Sequence, residues 1–129
     1  MPKQTVLWKA TPVLASFDAA RSYLSLIYTP ANTAKLVGAL RKAQTATHAA
    51  KDLLRASGLP LLPRDEAHVA ADLKRIHKGK RLSPVLLIQG EMDRGIPLII
   101  ADGYHRICAS CHYNEDAAIS CRLARRMTG

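Results

Sequence analysis

The chain has 129 residues, the size of one domain, and two independent cores would be hard to bury at that length. With 48% hydrophobic and 22% charged residues it is neither a disordered tail nor a membrane bundle, and no stretch approaches the roughly 20 apolar residues of a membrane span. Lys plus Arg total 19 against 10 Asp plus Glu, a formal charge of +9 that favours polyanionic partners such as nucleic acid, nucleotides or acidic lipid heads.

Residues 1–15 read as an irregular or partly extended lead-in broken by Pro2 and Pro12. The lead-in carries charges but no apolar signal segment, and three cysteines, an odd number, do not suit a disulfide framework. A reducing cytoplasm is the expected compartment. Ser16 is placed to cap a helix beginning at Phe17, with Asp18 in its first turn and Phe17, Ala20, Leu24 and Ile27 at helical spacing. Thr29 caps the next helix, with Pro30 at its first position and Leu36, Val37 and Leu40 as its stripe. Residues 1–44 are therefore expected to form an N-terminal helical hairpin packed on a domain of residues 45–129, in a single globular unit.

In that second part, residues 45–49 read as a short strand, and residues 51–57 as a helical turn closed by Gly58. Pro60 and Pro63 force residues 59–63 to be extended. Asp65 and Glu66 open a helix with Val69, Leu73 and Ile76 on one face, and Gly79 stops it. Residues 83–89 form an apolar run of strand length, 90–95 a hairpin loop, and 96–101 a second buried strand. Asp102 and Gly103 signal a turn, residues 104–113 a helix, and residues 118–123 a last strand. The order predicts an α+β fold with a small mixed sheet.

The most informative stretch runs from Ile99 to Arg106. An apolar strand ends in Asp102 and Gly103, and a helix opens with Tyr104, His105 and Arg106. The dipole at a helix N-terminus is already positive, so His105 and Arg106 work against local stability unless an anion sits there. Free backbone N–H groups, an arginine fork and an imidazole would converge on one phosphate, and Gly103 would let it approach the backbone. The alternative is an Arg106–Asp102 pair beside a satisfied turn histidine. Asp102 itself reads either as a base or magnesium contact or as a helix cap, the cap being the expected role.

Two other features carry chemistry in outline. Cys108 and Cys111 spell C-x-x-C, with His105, His112 and Cys121 nearby in sequence. Zinc needs four convergent ligands, and Cys111 lies off the helical face that His105, Cys108 and His112 share, so buried unreactive cysteines are expected there and no zinc. Lys74, Arg75, Lys78, Lys80 and Arg81 make the densest basic run, suited either to a nucleic-acid backbone or to a solvated helix end. Aromatics are only 5%, too few for a platform that stacks single strands.

Gly103-Tyr104-His105-Arg106 after a buried strand resembles the nucleotide-binding signature of the ParB/sulfiredoxin superfamily. ParB-type domains carry Gly-Glu-Arg-Arg and an Ala three residues later, matched here by Gly103, Arg106 and Ala109. Sulfiredoxins carry Gly-Cys-His-Arg, matched by Gly103, His105 and Arg106. Tyr104 stands in the place of their reactive Cys, so sulfinic-acid reduction is not implied. Small-molecule kinases of the superfamily carry Asp-Gly-His-His-Arg, which residues 102–106 also resemble. Upstream, Pro63-Arg64 resembles the Asn-Pro-Arg element of ParB, and Ser83-Pro84-Val85 the start of its next strand. The similarity spans residues 45–124.

The resemblance implies a nucleotide (CTP, ATP or ADP, with Mg2+) held by Gly103, Tyr104, His105 and Arg106, joined by Arg64. It places Asp65, His68 and Asp72 where sulfiredoxins hold ATP, and Asp72 or Asp102 would then serve as base or metal ligand. Phosphoryl transfer or NTP hydrolysis suits such a site. Two other classes remain open. One is a DNA-binding or nuclease-type module using residues 74–81 with Arg122, Arg125 and Arg126. The other is a non-enzymatic adaptor whose N-terminal helices form a homodimer or dock on a partner.

Overall fold

A computed structural model describes residues 5–126. The fold is α+β, with five helices and a four-stranded mixed sheet among the described residues. A helical hairpin, α1 (Leu14–Leu24) and α2 (Pro30–Lys42), leads into β1 (Ala46–Ala49), α3 (Ala50–Ser57) and α4 (Ala67–His77). The rest is β2 (Val85–Ile88), β3 (Ile99–Asp102), α5 (Tyr104–Tyr113) and β4 (Ala118–Ala124). The strands lie in the order β1-β4-β2-β3, with β4 parallel to β2 and the outer pairs antiparallel.

Every residue of β2 is buried, which explains its unbroken apolar sequence: both faces of the sheet are covered. Side chains alternate across a strand, so Val85 and Leu87 join one core with α3, α4 and α5. Leu86 and Ile88 join another, where Phe17, Leu24, Leu36 and Leu40 of the hairpin pack. The hairpin is thus the layer that covers the second face.

Thr29 caps α2 as expected, accepting the Asn32 N–H at 3.2 Å, with Pro30 in the first position. Helix α1, however, begins at Leu14 and not at Phe17, and Ser16 is not its cap. Ser16 is buried and its hydroxyl lies 3.1 Å from Ser83 Oγ, which also accepts the Val13 N–H at 3.1 Å. A side chain distant in sequence thus takes an orphan donor at the helix start. Glu66, rather than Asp65, caps α4, its carboxylate accepting the Val69 N–H at 2.9 Å.

The second buried strand is shorter than residues 96–101. Pro97 has no N–H to give a ladder, and Leu98 donates instead to the Ala56 carbonyl at 3.0 Å. In the β2–β3 pairing Leu86 faces Asp102 while Leu87 faces Ile100, so Ala101 is an extra residue on β3. A bulge of this kind bends its strand and re-aims the residues just after it, here Asp102 and Gly103.

No helix among the described residues is long and apolar enough to cross a membrane.

Candidate functional site

Gly103 turns the chain from β3 into α5 at φ 110°, a conformation side chains rarely adopt. A Cβ on it would lie 2.4 Å from Cγ1 of the fully buried Val85 and 2.9 Å from an Arg106 guanidinium nitrogen. No side chain caps α5, so the N–H groups of its first turn have no partner within the helix. Asp102 is therefore not the cap expected of it. Its Oδ2 accepts from Arg106 Nη2 at 2.9 Å, and both side chains are largely buried. Arg106 Nε is buried and has no hydrogen-bond partner.

Helix α4 packs against α5 and supplies the other wall. A cleft of about 230 Å³ opens between them, lined from α4 by His68, Asp72 and Arg75 and from the β3–α5 turn by Asp102, Gly103, His105 and Arg106. Asp72 is buried, and its Oδ1 accepts from Arg75 at 2.6 Å. The two carboxylates of the cleft, Asp72 and Asp102, are thus each matched by an arginine.

Glu66 stands beside the cleft between the two helix starts. Its Oε1 accepts from His68 Nδ1 at 3.1 Å, and its Oε2 lies 3.9 Å from His105 Nε2. The two imidazoles face each other with centroids 4.6 Å apart. Bonds from the Val69 amide and from His68 hold the Glu66 carboxyl down at about 2, so it is a carboxylate throughout the physiological range. In the sequence Glu66 is a helix opener, and His68 is marked only by the family resemblance. The available signal was Glu-x-His at one helix start and His in the first turn of another, which only the packing of α4 on α5 turns into a cluster.

Two residues expected here lie elsewhere. The Tyr104 hydroxyl donates to the Pro60 carbonyl, so its ring belongs to the 59–63 loop and not to the cleft. Arg64 donates to the His112 carbonyl at 3.2 Å, at the C-terminal end of α5, where a cation suits the dipole. The basic run also divides. Arg75 serves Asp72, and Arg81 donates to the Trp8 carbonyl at 3.1 Å, while Lys74, Lys78 and Lys80 are exposed. Arg122 donates to the Arg41 carbonyl at 2.8 Å, closing the end of α2. Cys108 and Cys121 are buried and Cys111 half-buried, and burial raises all three thiols, Cys121 to about 11.

The donors fit a phosphate: uncapped amides, an arginine with a spare N–H, and a second arginine at the opposite wall. They suit a bare magnesium ion less well, because magnesium prefers oxygens in octahedral array and each carboxylate here already holds a basic partner. No family model, no curated protein and no solved structure matches the chain.

Proposed function

We propose that the chain binds a phosphate-bearing ligand in the α4–α5 cleft, and that the ligand is a nucleotide, as the resemblance to ParB/sulfiredoxin domains implies. The observation that carries this reading is the buried Arg106 Nε, left without an acceptor beside the uncapped amides of α5. Buried polar groups are rarely left unpaired, and a phosphate oxygen would supply the acceptor. Asp102 fixes the other side of the guanidinium, and Gly103 lines the cleft beside it. Residues Gly103, His105 and Arg106 keep their expected place in this reading, and Arg75 replaces Arg64 as the second arginine.

The test is thermal unfolding with CTP, ATP and ADP, with and without magnesium. Ligand at a hundred times its Kd stabilises a fold by about 2.7 kcal/mol, a rise of several degrees in Tm. Arg106→Lys should remove most of that rise, since lysine keeps the charge but not the fork. No rise with any nucleotide would sink the proposal. A salt-sensitive interaction with DNA that survives Arg106→Lys and vanishes when Lys74, Lys78 and Lys80 are neutralised would place function on the exposed lysines instead.

A further inference from the structure

We infer that Glu66, His68 and His105 form a binding site for a borderline transition-metal dication of the zinc class, at the mouth of the same cleft. The three residues come from two elements, the N-terminal turns of α4 and α5, and each offers one donor atom, all within 4.8 Å of one another. Zinc binds imidazole nitrogen and carboxylate oxygen at about 2.0–2.2 Å, which sets tetrahedral neighbours about 3.4 Å apart. His68 Nδ1 lies 3.1 Å from Glu66 Oε1, close to that value, and His105 Nε2 approaches the same carboxylate, 3.9 Å from its Oε2. Both imidazoles are exposed enough to turn toward a shared ion.

Glu66 is the pre-positioned ligand. Its Oε2 is held by the Val69 amide, which leaves Oε1 directed at His68. Supporting bonds of this kind orient a metal ligand. Two imidazoles and one carboxylate select zinc, cobalt or nickel over magnesium and calcium, which take oxygen. Three protein ligands leave at least one position open, as in zinc sites that bind a further ligand. His68 and His105 also line the cleft with Asp102, Gly103 and Arg106, so an ion held by them would border it. The helix dipoles disfavour an isolated cation at this place, and an anion in the open position offsets that cost. That last step rests on the phosphate reading. It makes His105 a metal ligand beside the phosphate rather than a phosphate contact.

The experiment is titration of the full chain with Zn2+ and with Co2+ alone. Calorimetry reads stoichiometry and affinity for zinc, and visible absorption reads the cobalt coordination sphere. One ion per chain is expected, with the d–d bands of a nitrogen/oxygen site. His68→Ala and His105→Ala should each weaken binding by roughly 100-fold or more, beyond the 10–100-fold that loss of an outer-shell partner costs. Glu66→Gln, whose amide oxygen still accepts the Val69 N–H, should weaken it with the helix intact by circular dichroism. His112→Ala should leave it unchanged. Failure of zinc to bind, binding insensitive to His68 and His105, or a thiolate-to-cobalt band from Cys108 and Cys111 would each overturn the assignment. A nucleotide-dependent rise in Tm without metal binding refutes the metal site and leaves the phosphate reading standing, and metal binding with no nucleotide rise does the reverse.

Discussion

At the scale of single residues, Gly103 is the position on which the site depends most directly. Its φ of 110° excludes ordinary side chains, and the space a Cβ needs is occupied by Val85. Gly58, at φ 71°, has open space around the same position. Gly58→Ala is therefore expected to cost about 1 kcal/mol, the backbone effect alone, and Gly103→Ala about 2–4 kcal/mol, backbone strain with overpacking added. Urea denaturation measures both, and equal losses would show that the β3–α5 turn relaxes around the new methyl. The same turn shows how local conflict in a sequence is to be read. His105 and Arg106 at a helix N-terminus ask for negative charge. The protein meets half of that demand itself, through Asp102 at 2.9 Å from Arg106 and Glu66 at 3.9 Å from His105. What remains for a ligand is the spare Nε of Arg106 and the free amides.

At the scale of elements, α5 was legible in full, because Asp102 and Gly103 punctuate one end and Asn114 the other. The hairpin turn at Thr29 and Pro30 was legible for the same reason: cap and helix start are adjacent in sequence. The start of α1 was not. Its first turn is tied by Ser83, 70 residues from Val13 and 67 from Ser16, and no local pattern announces that pairing. The same limit explains the Glu66, His68 and His105 cluster, which exists only because α4 lies on α5. It also explains Arg64 and Tyr104, whose partners at His112 and Pro60 are set by the path of the 59–63 loop. The Ser83 tie can be weighed directly. Ser83→Ala removes the acceptor for the Val13 N–H and the partner of the buried Ser16 hydroxyl, and should cost about 1–2 kcal/mol. Ser16→Ala leaves the Val13 bond in place and should cost less. A double-mutant cycle by urea unfolding should show coupling between the two, and strict additivity would mean that the hydroxyls do not interact.

At the scale of the whole molecule, β2 decides what the N-terminal hairpin is. Val85 and Leu87 belong to the core beneath α3, α4 and α5, and Leu86 and Ile88 to the core beneath α1 and α2, so one strand is shared by two layers. An element that could detach would leave Leu86, Ile88, Ala101 and Ala124 facing water, which is the cost that keeps the hairpin in place. The two cores should accordingly unfold together. Leu40→Ala in the hairpin and Leu73→Ala in α4 both empty buried space, and each is expected to cost about 2–5 kcal/mol. Both variants should still unfold in a single transition, with circular dichroism and Trp8 fluorescence changing at the same urea concentration. Trp8 reports on the opposite side of the sheet from the hairpin, since its ring packs against the first core and its Nε1 donates to the Ala118 carbonyl at 3.0 Å. If Leu40→Ala lowered the helical signal while Trp8 fluorescence kept the parent midpoint, the hairpin would be a separable unit. The β3–α5 turn that carries the candidate site would then owe its position to one core alone. If the midpoints move together, Ala101 couples the two, because it packs in the second core one residue before Asp102. Loosening the hairpin should then loosen the site.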